Sequence, residues 1–164
     1  MLVFREADQN DIFSIRQLAH TIWHSHYPGI ITVDQIDYML DKMYSVKSIK
    51  KELEKDHKWV LVYLEDKPIG FISYYFEKKE NKVKLSKLYL LPSYHGFGFG
   101  QMSLEYVKKC TKDLGASALY LTVNKKNKKA IDAYVKSGFV IEKGVVMKIG
   151  KGFVMDDYIM VFKF

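Results

Sequence analysis

A single cysteine, Cys110, is the chain's only thiol, so no intrachain disulfide can brace it. No apolar run approaches the ~20 residues of a membrane span. The opening Met1-Leu2-Val3-Phe4-Arg5-Glu6 lacks the basic-then-apolar layout of an export signal. A cytoplasmic location with no membrane partner is therefore expected. The net charge is +7, but no arginine-rich tail, helix-turn-helix pattern or RNA-binding aromatic motif accompanies it, so no nucleic-acid partner is expected. Two phosphate-binding fingerprints also fail. Gly96, Gly98 and Gly100 do not have the spacing of G-x-G-x-x-G, and Gln101-Met102 stands where a P-loop needs Lys-Ser/Thr. No residue set calls for a metal.

What the chain has is apolar content of 48% over 164 residues, enough to bury the core of a single domain spanning 1–164. Leu2 to Glu6 reads as a strand. Ile12, Ile15, Leu18, Ala19 and Ile22 then repeat at helical spacing behind a cap at Asn10 or Asp11. Thr32-Val33-Asp34-Gln35 opens a second helix in capping-box form, and a short third is expected from about Val46 to Glu54. Trp59 to Leu64 is a continuous apolar run, as in a strand buried on both faces. Glu65 to Pro68 turns the chain, Ile69 to Phe76 returns it, and Glu77 to Lys82 turns it again. Alternation from Val83 breaks at Lys87-Leu88, which can mark a bulge. A helix with Phe99, Met102, Tyr106 and Cys110 on one stripe ends near Gly115, where Cys110 reads as a packed small hydrophobe. Leu119 to Val123 is a strand, Asn127 to Lys136 a helix, and Phe139 to Ile149 and Val154 to Phe164 are strands. The order describes a mixed α/β (α+β) domain.

The glycine-aromatic stretch Tyr94-His95-Gly96-Phe97-Gly98-Phe99-Gly100 joins a strand to a helix. Glycine permits positive φ and close approach of a ligand, and the first free N–H groups of a helix favour an anion. This combination suits a pyrophosphate. The lysines Lys125, Lys126, Lys128 and Lys129 have two readings, a solvated face or cations near that phosphate.

Three features resemble the GNAT-superfamily N-acetyltransferases: Leu88-Tyr89-Leu90-x-Pro92 leading into Gly98-x-Gly100; Asn127-x-x-Ala130-x-x-x-Tyr134-x-x-x-Gly138-Phe139; and the element order of nearly the whole chain. The resemblance implies a central, mixed but mostly antiparallel sheet of about seven strands, splayed between strands 4 and 5, with four to five helices. It implies acetyl-CoA as acyl donor and a small-molecule amine or polyamine as acceptor, joined by direct attack in a ternary complex. Protein N-terminal or lysine acetylation, or a non-catalytic acyl-CoA sensor, stay as alternatives, and self-association as a homodimer is left open.

Carried over by position, Leu90 falls where the fourth strand bulges, its N–H an oxyanion donor. Leu88 and the run His95, Gly96, Phe97, Gly98, Phe99, Gly100 and Gln101 would hold the cofactor, with Phe97 covering it and Phe99 turned to the core. Asn127 would touch the pantetheine arm. Tyr134, two helical turns beyond Asn127, would be the general acid toward the departing thiolate; its alternative is a packing residue. His95 departs from the usual Gln or Arg. Lys84 and Ser86 stand where relatives place a glutamate base, which leaves water, His24, His26 or Asp156 for that role. Trp23, His26, Tyr27 and Asp156 are the expected acceptor-binding residues, aromatic rings and a carboxylate being suited to a cationic amine.

Overall fold

In a computed structural model, residues 1–164 are described throughout. The elements run β1 (Leu2–Glu6), α1 (Ile12–His26), α2 (Val33–Met43), α3 (Val46–Glu54), β2 (His57–Leu64), β3 (Lys67–Glu77), β4 (Lys82–Leu90), α4 (Phe99–Asp113), β5 (Ala118–Asn124), α5 (Lys128–Lys136), β6 (Val140–Gly150) and β7 (Phe153–Lys163). The seven strands form one sheet in the order β1-β2-β3-β4-β5-β7-β6, antiparallel at every junction except the parallel β4–β5 pair. The expected sheet and helices are present.

Local signals account for most boundaries. Thr32 caps α2, its hydroxyl accepting from the Gln35 N–H at 3.1 Å, and Asn127 caps α5 through the Ala130 N–H. Asp11 stands at the N-cap of α1, as expected, but its side chain makes no capping hydrogen bond to that helix. A 3-10 turn at Gln9–Asp11 precedes the helix, and Asp8 caps that turn in a reciprocal capping box with Asp11. The turn after β2 is also tighter than expected. Glu65 takes the positive φ of 56°, and β3 has resumed by Lys67, so Pro68 sits inside the strand.

The sheet carries a core on each face. Because strand side chains alternate, Val60 and Val62 pack with Leu104 and Val107 of α4, while Trp59 and Leu61 pack with Ile15, Ile36 and Ile49 of α1 to α3. The continuous apolar run in β2 serves both layers. On α4 the buried stripe is Ser103, Leu104, Val107, Lys108 and Thr111, and Met102 is exposed. The expected stripe through Met102 was displaced by one position. Phe99, Tyr106 and Cys110 flank the core rather than lead it.

The break in alternation at Lys87-Leu88 has a physical cause. Ser73 pairs with Lys87 but Tyr74 pairs with Leu85, so Ser86 is an extra residue on β4. Val83 and Leu85 face α4 before this bulge, and Leu88 and Leu90 face it afterwards. The bulge therefore lies at Ser86, four residues before Leu90, where the family resemblance had placed it. It swings Lys87 onto the other face. There its ammonium is buried over the Trp59 and Tyr44 rings, 4.9 and 5.7 Å from their centroids, with Glu52 at 3.7 Å. Burial pulls the Lys87 pKa down, partly offset by Glu52.

Candidate active site

β4 and β5 are in register only at Lys82–Ala118, Val83–Leu119 and Lys84–Tyr120. Beyond that point they part. The gap opens a cleft of about 540 Å³ that passes between the strands from the α4–α5 side to the α1–α2 side. Backbone groups on its lip are left free by the ladder geometry. Leu91 donates its N–H to the Ile69 carbonyl at 2.8 Å, and amides alternate between a strand's two neighbours. The N–H of Leu90, and by the same parity that of Leu88, therefore points away from β3 into the cleft.

The loop after β4 adds a second set of free donors. Gly96 and Gly98 have φ of 85° and 82°, and Gly98 is the N-cap of α4. Met102 is the first residue to close the helical ladder, onto the Gly98 carbonyl, and no backbone acceptor meets the N–H groups from Gly96 to Gln101. Six consecutive amides at a helix start make a cradle for an anion. The space beside Gly96, Gly98 and Gly100 is open. Phe99 turns onto the core and Phe97 lies exposed against it, ring centroids 5.8 Å apart. Neither phenyl ring lines the cleft.

The His95 side chain takes a part that a backbone-only view of the loop missed. Its Nε2 lies 2.9 Å from the Leu90 carbonyl and its Nδ1 lies 3.0 Å from the Lys129 ammonium. A carbonyl only accepts and an ammonium only donates, so in this arrangement the ring donates from Nε2 and accepts at Nδ1. It ties the end of β4 to α5. The lysine cluster divides accordingly. Lys129 reaches the cleft, Lys125 pairs with Asp156 at 2.8 Å, and Lys126 and Lys128 are exposed.

On α5, Asn127 is buried beside His26, and Tyr134 faces the cleft two turns on. The Tyr134 hydroxyl makes no hydrogen bond within the chain, and burial raises its pKa, so it stays protonated across the neutral range. From the opposite wall come Trp23 and Tyr27, which pack at 4.4 Å between centroids. The Tyr27 hydroxyl shares a 2.8 Å hydrogen bond with that of Tyr89. Burial lowers the His26 pKa, aided by the Lys129 charge and opposed by a hydrogen bond to Asn127, and these neighbours set His26 at the loop end of the cleft. His24 is exposed on Asp37 and does not line the cleft.

Twelve of the expected site residues thus converge: Leu88, Leu90, His95, Gly96, Gly98, Gly100, Gln101, Asn127, Tyr134, Trp23, His26 and Tyr27. Asp156 does not join them. Its carboxylate is half exposed and ion-paired with Lys125. Its neighbour Asp157 takes the opposite face of β7 by strand alternation and lines the cleft, 1% exposed, with neither carboxylate oxygen hydrogen-bonded. Burial and the adjacent Asp156 push the Asp157 pKa up to about 6, against the lowering pull of Lys84 and Lys125. The folded chain therefore holds this proton more tightly than the unfolded chain, whose value is 3.8. The resulting stabilisation is complete below about pH 4 and is lost as pH rises through about 6. Asp157→Asn should be more stable than the parent at pH 8 by on the order of 1–2 kcal/mol, less than the roughly 3 kcal/mol of the full shift because the cleft admits water. Thermal melts of both proteins from about pH 4 to 8 check this. A gap in Tm that does not widen with pH refutes it.

The model of the acetyltransferase (GNAT) family matches residues 14–139. The chain belongs to that family. An uncharacterized N-acetyltransferase of Mycobacterium tuberculosis is 31% identical over 134 residues, covering 82% of this chain and 85% of the relative. A spermidine N(1)-acetyltransferase of Thermoplasma acidophilum is 26% identical over 143 residues, 84% of this chain and 88% of the relative. Among solved structures, the PaiA N-acetyltransferase of Thermoplasma acidophilum, a complex with coenzyme A, superposes with a TM-score of 0.85 at 24% identity, covering 100% of this chain and 99% of that one. As a GNAT member the chain is an acetyl-CoA-dependent N-acetyltransferase. Its residues fit that donor, since the six unpaired amides suit a pyrophosphate and the parted strands leave room for a thioester arm. No helix is long and apolar enough to cross a membrane.

Proposed function

We propose that the chain transfers an acetyl group from acetyl-CoA to the nitrogen of a small primary amine, by direct attack with both substrates bound. The observation that carries this reading is one cleft on which the Leu90 amide and the Tyr134 hydroxyl are both unpaired. Acetyl-CoA, when bound, supplies the activated acyl thioester. The amides from Gly96 to Gln101 would hold its pyrophosphate, and Leu88 and Asn127 its arm. The Leu90 N–H would stabilise charge gathering on the acyl oxygen, as a preorganised donor that needs no rearrangement. Tyr134 holds a proton at its phenolic oxygen for the departing sulfur. His95 keeps the strand end in place through the Leu90 carbonyl. Trp23 and Tyr27 would receive the acceptor, and their rings favour a cation. The named spermidine acetyltransferase among the relatives supports an amine acceptor. Thiol release from acetyl-CoA, screened against monoamines, diamines, polyamines, amino acids and peptides, tests the reading. Turnover confined to peptides, or none with any acceptor, rejects it.

Donor binding has its own test. Acetyl-CoA should raise Tm, because a ligand that binds only the folded state stabilises it; at 100-fold its Kd the gain is about 2.7 kcal/mol. Gly98→Val should remove the rise. The cause is backbone rather than crowding, because a side chain there meets open space but must hold a φ of 82°. An unchanged rise in Gly98→Val would show that the amide cradle does not bind the cofactor.

A further inference from the structure

Resting on the acetyl-transfer reading, we infer that Asp157 is the acceptor's anchor and proton acceptor. The cleft accordingly takes a primary amine with one positive charge on an apolar body. The geometry comes first. Asp157 pairs with Asn124 of β5 and Val145 of β6, so it stands one strand beyond the β4–β5 gap on the side away from Leu90, and it still lines the cleft. It shares its sheet face with Met155, on the side covered by α1 and α2. A carboxylate buried without any hydrogen bond is costly, and natural chains keep such groups sparingly. An incoming ammonium would supply both the missing charge and the missing donors.

The groups around it leave that vacancy open. Lys84 of β4 and Lys125 after β5 act on Asp157 from a distance, and neither closes an ion pair with it. Asp156 is already held by Lys125. Tyr27, at the C-cap of α1, is occupied with Tyr89 of β4. Among the remaining charged residues on the cleft, Lys129 is bound to His95, while Asp132 and Lys136 are exposed on α5 at the rim. Lys87 is turned beneath the sheet onto Trp59 and Glu52. The acceptor end thus offers one buried carboxylate, and its other walls include Trp23, Ile31, Met39, Met43, Met155 and the uncharged Gln35, whose Nε2 already donates to the Val154 carbonyl at 2.9 Å. A polyamine carries further charges that would meet thioether and alkyl groups, each left without a counter-charge.

The protons balance as follows. The acceptor's ammonium gives one proton to Asp157, which frees the nitrogen lone pair. As the C–N bond forms and the C–S bond breaks, the electron pair leaves on sulfur and takes the Tyr134 proton. A second proton from nitrogen restores Tyr134, and the proton on Asp157 passes to solvent when the amide departs.

The test uses 2-phenylethylamine and n-hexylamine as monoamines, with putrescine and spermidine as polycations. Calorimetric titration of 2-phenylethylamine at pH 7.5, without acetyl-CoA, should show binding that Asp157→Asn weakens at least tenfold. In turnover, Asp157→Asn should lower kcat/KM by about 10²-fold or more, the usual reach of a positioned base, and remove an acid limb centred near pH 6. Wild-type kcat/KM should favour the monoamines over spermidine by at least tenfold. Unchanged amine binding in Asp157→Asn, an unchanged acid limb, or a preference for spermidine overturns the inference. Those outcomes leave acetyl transfer itself standing. Loss of thiol release with every amine instead refutes the acetyl-transfer reading, while the binding titration still decides whether Asp157 anchors a cation.

Discussion

Tyr134→Phe is expected to lower kcat by about 10²- to 10⁴-fold, the contribution of a positioned general acid. The fold should be untouched, because the hydroxyl makes no hydrogen bond in the chain while the ring stays packed near Phe139, 5.8 Å between centroids. Cofactor affinity should change little for the same reason. The loss should fall on kcat more than on KM for acetyl-CoA, since the hydroxyl acts as charge develops on sulfur rather than in the ground state. Burial raises the phenol's pKa, so no alkaline limb from Tyr134 ionisation is expected in the neutral range. Single-turnover kinetics at saturating acetyl-CoA isolate the chemical step. A near-normal kcat there would make Tyr134 a packing residue and leave the sulfur to be protonated by water.

Where elements are defined by local signals, the chain was readable. The third helix was expected from Val46 to Glu54 and forms there, capped by the Ser45 hydroxyl on the Ser48 N–H. The break in alternation at Lys87-Leu88 is visible in the residues and corresponds to the bulge at Ser86. The glycine loop announced free amides at a helix start, and the loop supplies them.

Other features depend on relations between elements distant in sequence. Asp156 and Asp157 are adjacent acids on one strand, and only the pairing of β7 with β5 decides which enters the cleft. A strand displaced by one residue exchanges its two faces, so the sequence pattern offered Asp156 with equal right. The signal available was an acidic pair inside a strand that is otherwise rich in aromatic and aliphatic residues. Likewise, Met102 fits a helical stripe by spacing, yet α4 turns its Leu104 and Val107 side to the sheet. The link from His95 to Lys129 spans 34 positions, and no local motif encodes it.

Gly70→Ala should be among the most damaging single substitutions in the molecule. Gly70 faces Leu90 across the β3–β4 pair, and a Cβ there would lie 2.2 Å from the Tyr89 carbonyl oxygen, 2.6 Å from Leu90 Cδ2 and 3.1 Å from Leu90 Cα. Two of these neighbours are backbone and cannot rotate away, so the strands must part. Overpacking of a core costs about 1–3 kcal/mol, and backbone contact belongs at or beyond the upper end. A loss of about 3 kcal/mol lowers Tm by roughly 6–12 °C in a chain of this size. Activity should suffer separately, since the displaced segment carries the Leu90 amide, and a shift near 1 Å in a positioned group can cost about 10²-fold in rate. Melts and kcat measured well below the variant's Tm distinguish the two effects. A Tm within about 2 °C of the parent would show that β3 and β4 have slack at this point. A normal kcat in folded Gly70→Ala would show that the Leu90 amide is not held by this strand contact.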